Sequence, residues 1–223
     1  SYPLLKTSSS ANQTLTPIVM PIIAPYNNYT NVQAITNSNL FSSNRATSIT
    51  EWEGGPRINY GVEWFVNSEQ GIDLKTTISQ NYRFNKDNSE TDNEASHYFI
   101  NSNFNMNSGN YLDSSLIIDR KDHKIRSLSA HSLNEVNDII IAINYDYTSG
   151  TYQSPEEQVA VGGKYTLERN LFLKFTGSKD LDKNKNIGYQ YGILYENDCL
   201  GIDFNYYRDL TKDRDVEESE GIS

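Results

Sequence analysis

The chain has one cysteine, two tryptophans, two methionines and six prolines in 223 residues. A lone cysteine cannot close a disulfide within the chain, and it rules out cysteine-rich metal sites. No run of 18 apolar residues occurs, which excludes a membrane-spanning helix, in keeping with a mean hydropathy of −0.65. Basic residues are outnumbered, 19 against 29 acidic, for a formal charge of 19 − 29 = −10. Without a basic patch there is little to attract nucleic acid. Helical periodicity is missing too, and the three histidines, His97, His123 and His131, stand far from the cysteine on loops or scattered strand positions. No nucleophile–base constellation, carboxylate pair or metal-ligand spacing emerges, so neither an enzyme nor a cofactor is expected.

What is present is alternation. Over 57–66, Ile58, Tyr60, Val62, Trp64 and Val66 share one parity, and Asn59, Gly61, Glu63 and Phe65 the other. This period of two puts successive side chains on opposite faces of a strand. Ile72, Leu74, Thr76, Ile78 and Tyr82 repeat it against Asp73, Lys75, Thr77, Ser79, Asn81 and Arg83. So do residues 137–147, with Ile139, Ile141, Ile143, Tyr145 and Tyr147 on one side, and residues 186–196, with Ile187, Tyr189, Tyr191, Ile193 and Tyr195. Weaker versions lie at 13–25, 96–106, 111–119, 124–132, 157–166, 170–178 and 199–208.

The links between these eleven stretches alternate in length. Short turns are expected at 67–71, 107–110, 133–136, 167–169 and 197–198, and mostly longer polar links at 26–56, 84–95, 120–123, 148–156, 179–185 and 209–220. An outer-membrane barrel sorts its links in this way, with tight periplasmic turns and long extracellular loops, whereas a soluble sandwich has no reason to. Stretches of nine to thirteen residues exceed the usual soluble strand of about 5 to 6 and match the roughly 9 to 11 that cross a bilayer. Low hydropathy is no objection, since half of each strand faces a polar lumen. The 16 tyrosines suit strand ends at the membrane–water boundary, such as Tyr60, Tyr82, Tyr147 and Tyr195.

The fold class is therefore all-β: an antiparallel up-and-down transmembrane barrel, present as a partial wall of about eleven complete strands that is an open, curved sheet if alone. Residues 1–12 are expected to form a flexible N-terminal segment and 13–223 the barrel portion. A signal peptide and a closing strand are expected outside this stretch, because an exported barrel needs both. Ile58, Val62, Trp64, Ile139, Ile141, Ile143, Tyr189, Ile193, Ile202 and Phe204 are expected on the lipid-facing side. Asn59, Glu63, Asp73, Lys75, Asn144, Asp146, Gln190, Glu196, Asp203 and Asn205 are expected opposite them. Pro17 and Pro21, four residues apart, remove donors from one edge of their strand, which reads as an irregular strand beside the longest loop.

Two segments then point to a family. Asn39 to Trp64, NLFSSNRATSITEWEGGPRINYGVEW, resembles a segment of the LPS-assembly outer-membrane protein LptD (OstA family). Gly188 to Glu218, GYQYGILYENDCLGIDFNYYRDLTKDRDVE, is similar to that family's C-terminal cysteine-bearing hairpin, so that the resemblance covers roughly 13–223. It implies the C-terminal part of a large barrel that inserts lipopolysaccharide into the outer leaflet of the outer membrane of a Gram-negative bacterium. Implied partners are lipopolysaccharide, outer-membrane lipid, an LptE-like plug lipoprotein and periplasmic Lpt bridge components. In the family an adjacent cysteine pair at this hairpin joins barrel to periplasmic domain. Here Asp198 precedes Cys199, so one position is kept, and Cys199 is a candidate disulfide with a partner outside this chain. Asn44, Arg45, Glu53, Gly54, Gly55 and Arg57 are the family-like loop positions, and a long loop folded inward, turning at Gly54, Gly55 and Pro56, is their plainer explanation.

Other motifs fade. Asp180, Asp182 and Asn184 begin like a calcium loop, but Lys185 stands where glycine is needed and Tyr191 where glutamate is. Gly162, Gly163 and Lys164 lack the rest of a phosphate loop. The charged run Arg208 to Glu220 reads as a solvated loop. A general porin, or a soluble all-β binding module whose apolar faces a second sheet would cover, are the competing function classes.

Overall fold

Residues 2–25, 34–46, 51–84, 95–106, 109–150, 155–211 and 219–222 are described by a computed structural model, and among them there is no helix. Thirteen strands form one antiparallel open sheet whose spatial order follows the chain. They are β1 (Leu4–Thr7), β2 (Ala11–Ile22), β3 (Arg57–Ser68), β4 (Ile72–Arg83), β5 (Tyr98–Met106), β6 (Tyr111–Ile118), β7 (Ile125–Val136), β8 (Ile139–Thr148), β9 (Glu156–Glu168), β10 (Leu171–Asp180), β11 (Lys185–Glu196), β12 (Gly201–Asp209) and β13 (Ser219–Ile222). The eleven stretches of alternation correspond to β2 through β12. Two compact units divide the chain, Ser1–Phe104 with Ser115–Arg126, and Asn105–Ser114 with Ser127–Ser223.

In the first unit the register sorts the side chains cleanly. Met20, Asn59 and Asn81 lie side by side on one face, as do Thr16, Glu63 and Thr77, and then Asn12, Asn67 and Asp73. Pro21, Ile58 and Tyr82, then Pro17, Val62 and Ile78, then Leu15, Trp64 and Thr76 occupy the other. On the polar face Lys75 Nζ meets Glu63 Oε2 at 2.9 Å, and Asn67 Nδ2 donates to Asp73 Oδ1 at 2.5 Å.

The second unit repeats the division. Ile139, Tyr165, Leu173, Ile193 and Phe204 form one row across five strands, and Ile141, Gly163, Phe175, Tyr191 and Tyr206 the next. A Cβ on Gly163 would sit 2.1 Å from Phe175 Cε1, so the phenyl ring packs over the glycine and would have to move to admit a side chain. Lys174 and Asp203 pair at 2.6 Å on the opposite face, and His131 Nδ1 shares a 2.9 Å hydrogen bond with Asn144 Oδ1.

Burial is inverted relative to a water-soluble domain. Among the described residues the buried hydrophobic side chains are Leu40, Ala95 and Phe99, whereas ten polar or charged residues are buried. Tyr191, Phe204 and Ile193 are 57%, 54% and 49% exposed. In water this arrangement would forfeit the main driving force for folding. A sheet whose apolar face meets lipid does not incur that loss. No second sheet covers the apolar face among the described residues.

Several boundaries differ from the sequence reading. The expected turn at 133–136 is strand: β7 continues to Val136 and the chain reverses at Asn137 and Asp138, where Asn137 takes a φ of 53°. Asparagine tolerates that left-handed conformation, so it nucleates the tight turn in place of the polar Asn134–Glu135 pair. The Leu4–Thr7 stretch, expected within a flexible segment, pairs with Asn12–Leu15 as β1. The link between β10 and β11 shrinks to 181–184, no longer than the turn at 197–200. The expected links at 26–56, 84–95, 107–110, 148–156 and 209–220, and the charged run 208–220, lie partly outside the described residues.

The register also settles which edge of β2 its prolines affect. Glu69 donates to Ser10 O at 3.2 Å and Ser8 to Ala11 O at 3.0 Å, so even-numbered residues of β2 point their backbone groups at β3 and odd-numbered ones away. Pro17 and Pro21 therefore leave the β2–β3 ladder intact, and pairing with β1 stops at Leu15, short of Pro17.

Placing a charge on the apolar face should be far costlier than on the polar one. Ile141→Arg is expected to destabilise the full-length protein in bilayers by about 2 to 4 kcal/mol, and Asn144→Arg much less, as read from heat-modifiable gel mobility and urea unfolding. Equal effects would contradict the assignment of faces.

Candidate functional site

Polar side chains become buried where residues 34–46 and 51–56 lie over the polar face of β3 and β4. The sequence dictates this locally through three devices. Asn44 acts as a staple: its Oδ1 accepts the backbone N–H of Ala46 at 3.1 Å and of Glu53 at 2.8 Å, while its Nδ2 donates to Glu51 O at 2.8 Å. Two stretches separated by seven residues are thus drawn together. Gly55 supplies the turn with a φ of 83°, a conformation most side chains resist, and its N–H reaches Pro25 O at 3.3 Å. Leu40 is fully buried and supplies the apolar anchor.

Glu53 occupies the centre. Arg45 approaches it as a fork, Nε donating to Oε2 at 2.7 Å and Nη2 to Oε1, the bidentate geometry that makes arginine–carboxylate pairs strong. Arg57 Nη2 lies 3.2 Å from Glu53 Oε2, and Arg83 Nη2 donates to Oε1. Arg57 also ties the loop's backbone, donating to Glu53 O at 3.0 Å, Gly55 O at 3.5 Å and Ser43 O at 2.8 Å. One carboxylate therefore links the loop (Arg45), β3 (Arg57) and β4 (Arg83). Beneath it Asn81 Nδ2 donates to Asn59 Oδ1 at 2.5 Å, and Asn81 also receives and returns bonds at Ser96.

The electrostatics follow. Burial would push the Glu53 carboxyl up, but the Arg45 hydrogen bond and the charges of Arg45, Arg57 and Arg83 hold it below its ordinary value. Since the folded value is depressed, the stability Glu53 contributes is complete above the ordinary glutamate range and is lost as pH falls through the lower folded value.

The structure thus brings together Asn44, Arg45, Glu53, Gly54, Gly55 and Arg57, all six loop positions singled out in the sequence. Arg83 was missed as a member. It pairs directly opposite Arg57 in the register, an arrangement of like charges that makes sense only with a carboxylate between them, and the sequence does not display that pairing.

The remaining landmarks fall elsewhere. Cys199 is exposed and unpaired, and it sits in the turn, not in the strand expected to begin there. Asn197 Oδ1 accepts the N–H groups of Cys199 and Leu200 at 2.9 and 2.8 Å, so the asparagine lengthens the turn and delays β12 to Gly201. The calcium-like loop is filled by its own lysine: Lys183 Nζ lies 3.0 Å from Asp180 Oδ2. Gly162 and Gly163 lie inside β9, away from any helix N-terminus. Asp119, just beyond β6, accepts from Lys121 N at 2.6 Å and Arg126 Nε at 2.8 Å. The backbone bond from Lys121 leads the causes that hold its carboxyl down at about 2.

Removing Glu53 leaves Arg45 and Arg57 buried against one another. Glu53→Gln is therefore expected to cost about 3 to 5 kcal/mol and to make residues 34–46 and 51–56 protease-sensitive. Arg83→Gln, at a partly exposed position, should cost less. A loop equally resistant in the wild type and in Glu53→Gln would show that the carboxylate does not hold it.

Comparison with protein families places the site in context. Residues 1–171 match the family described as LptD, LPS transport system D. No curated protein matches the chain. The matched stretch contains the whole arginine–glutamate cluster and the strands that carry it, and it ends before the Cys199 hairpin. A match over most of the chain, on an antiparallel sheet with one apolar and one polar face, identifies the chain as a member of the LptD family, an outer-membrane protein family that transports and assembles lipopolysaccharide with partners of the Lpt pathway.

Proposed function

We propose that this chain is the wall of the outer-membrane translocon barrel that inserts lipopolysaccharide into the outer leaflet of a Gram-negative cell. Its apolar face lies against membrane lipid and its polar face lines the route of the sugar headgroup. The observation that supports this most is the inverted burial within each unit: exposed Ile, Phe and Tyr rows in the second, and buried Arg, Glu and Asn side chains on the face opposite Ile58, Val62 and Trp64 in the first. An amphiphile with a large polar headgroup and acyl chains needs both environments at one wall, and a two-faced sheet supplies them within the thickness of a strand layer.

The link 23–56 and the 84–97 link leave the same end of β2–β5, which the reading assigns to the cell exterior. In the second unit the turns at 137–138, 169–170 and 197–200 share the end assigned to the periplasm. Cys199 then stands in an oxidising compartment, available to a cysteine of a periplasmic domain, and a plug lipoprotein of the LptE kind would meet the polar face. A covalent tie at Cys199 would hold the delivering domain against the barrel through repeated transport cycles.

Depleting the full-length protein should strip lipopolysaccharide from the cell surface, read by surface labelling of its sugars. Cys199→Ser should change non-reducing gel mobility and leave reducing mobility untouched. Intact surface lipopolysaccharide with abolished uptake of small solutes would make the protein a porin instead. Absence of the mobility change alone would remove the disulfide and leave transport standing.

A further inference from the structure

The buried charges around Glu53 do not balance. Arg45 and Arg57 both have fully buried side chains and share that single carboxylate. Whatever else Arg83 contacts, two guanidiniums face one anion, an excess of at least one positive charge in a site shielded from water. Their donors are not exhausted either: Arg45 Nη1 and Arg57 Nε are buried and have no hydrogen-bond partner. A buried, uncompensated charge is expensive, and two idle guanidinium donors add to that cost. The group that would satisfy both is an oxyanion with more charge and more acceptor oxygens than a carboxylate. A phosphoryl group, with a charge of about −1.5 to −2 and three acceptor oxygens, has both.

We propose that Arg45 and Arg57 form a phosphoryl-binding site whose resting occupant is Glu53, and that an incoming phosphoryl group displaces Glu53 and so releases residues 51–56 from β3 and β4. The proposal rests on the transport reading above, in which a phosphorylated glycolipid passes along this face.

Glu53 is placed to leave. It is followed by Gly54 and Gly55, the latter at a φ of 83°, so the backbone beside it can rotate where other residues would resist. Trp52 on its other side is 43% exposed, and its Nε1 donates to Pro25 O at 3.4 Å. Protonation is a poor competitor, because the carboxyl is held below its ordinary value. A second oxyanion is the natural one. Arginine suits this exchange better than lysine, since its planar fork fits carboxylate and phosphate alike.

The test uses the full-length protein in detergent and reads Trp52 emission as the difference between the protein and a Trp52→Phe variant. Three probes are titrated: a bis-phosphorylated glycolipid, the same glycolipid freed of its phosphates, and inorganic phosphate. The phosphorylated glycolipid should give a saturable change and the dephosphorylated one none. Glu53→Gln, which replaces the charged competitor by a neutral one, should tighten binding about tenfold or more, the scale of a charge-assisted hydrogen bond. Arg57→Lys should weaken it by a similar factor. Saturation by inorganic phosphate at the affinity of the glycolipid would assign the site to the free ion; a response to the glycolipid alone would assign it to the headgroup. If heat-modifiable mobility shows that Glu53→Gln does not fold, Arg57→Lys carries the test: selective loss of the phosphorylated probe supports the site. Equal response to both glycolipids, or no effect of either substitution, overturns it. Unchanged surface lipopolysaccharide on depletion would refute the transport reading while leaving a positive titration, and the site, intact.

Discussion

From Arg57 opposite Arg83 to Asn67 opposite Asp73, the pairing of β3 with β4 holds its register without a shift, and β2 keeps step with β3 over twelve positions. Backbone hydrogen bonding of this continuity fixes which face every side chain takes, because a slip of one residue would exchange the two faces completely. The separation of Ile, Val and Trp from Asn, Glu and Lys depends on it. So does the arginine–glutamate cluster, since Arg57 and Arg83 meet the same carboxylate only while they remain opposite each other. The register shifts within the second unit, between Ser178 and Lys179 and between Leu171 and Phe172, occur near strand ends, where an irregularity re-aims few side chains.

The cluster inverts the usual logic of a core. A soluble domain buries apolar groups and leaves charges in water; here residues 34–46 and 51–56 are held by charge, with Leu40 as their principal buried hydrophobe. Such a contact is sensitive to a single group. Three arginines converge from three separate chain segments on Glu53, and none of the three can replace it. Desolvation of the ions opposes the arrangement, while bidentate geometry and the backbone acceptors at Ser43, Glu53 and Gly55 offset that cost. A contact fastened in this way depends on one carboxylate, whereas a hydrophobic seal spreads its contribution over many side chains.

Membership of the LptD family gives the two faces a purpose. Lipopolysaccharide presents acyl chains and a charged, sugar-rich headgroup, and the sheet presents an apolar and a polar surface separated by one layer of backbone. Aromatic residues cluster at the end of β4, where Tyr82 and Phe84 stack edge to face at 5.3 Å, as suits rings at a boundary between media. Cross-strand pairs such as Lys75 with Glu63 and Lys174 with Asp203 keep the polar face mixed in sign.

Alternation by itself determined β2 through β12 and the face of nearly every residue in them, because a period of two has one structural meaning and the long strands repeat it, whereas the four-residue β1 and β13 were too short to show it. Sequence also singled out Asn44, Arg45, Glu53, Gly54, Gly55 and Arg57, through their resemblance to a family segment and through the turn-forming glycines. It misplaced the reversal after β7, since polar residues mark turns only on average, and the deciding feature was the left-handed backbone of Asn137. It began β12 two residues early at Cys199, because the side-chain bonds of Asn197 that extend the turn leave no mark in a hydropathy pattern. Only the tertiary structure could join Arg83 to Glu53. Thirty residues separate them in the chain, and their contact depends on two independent facts, the β3–β4 register and the return of the loop over that face, neither of which is a local property of the residues involved.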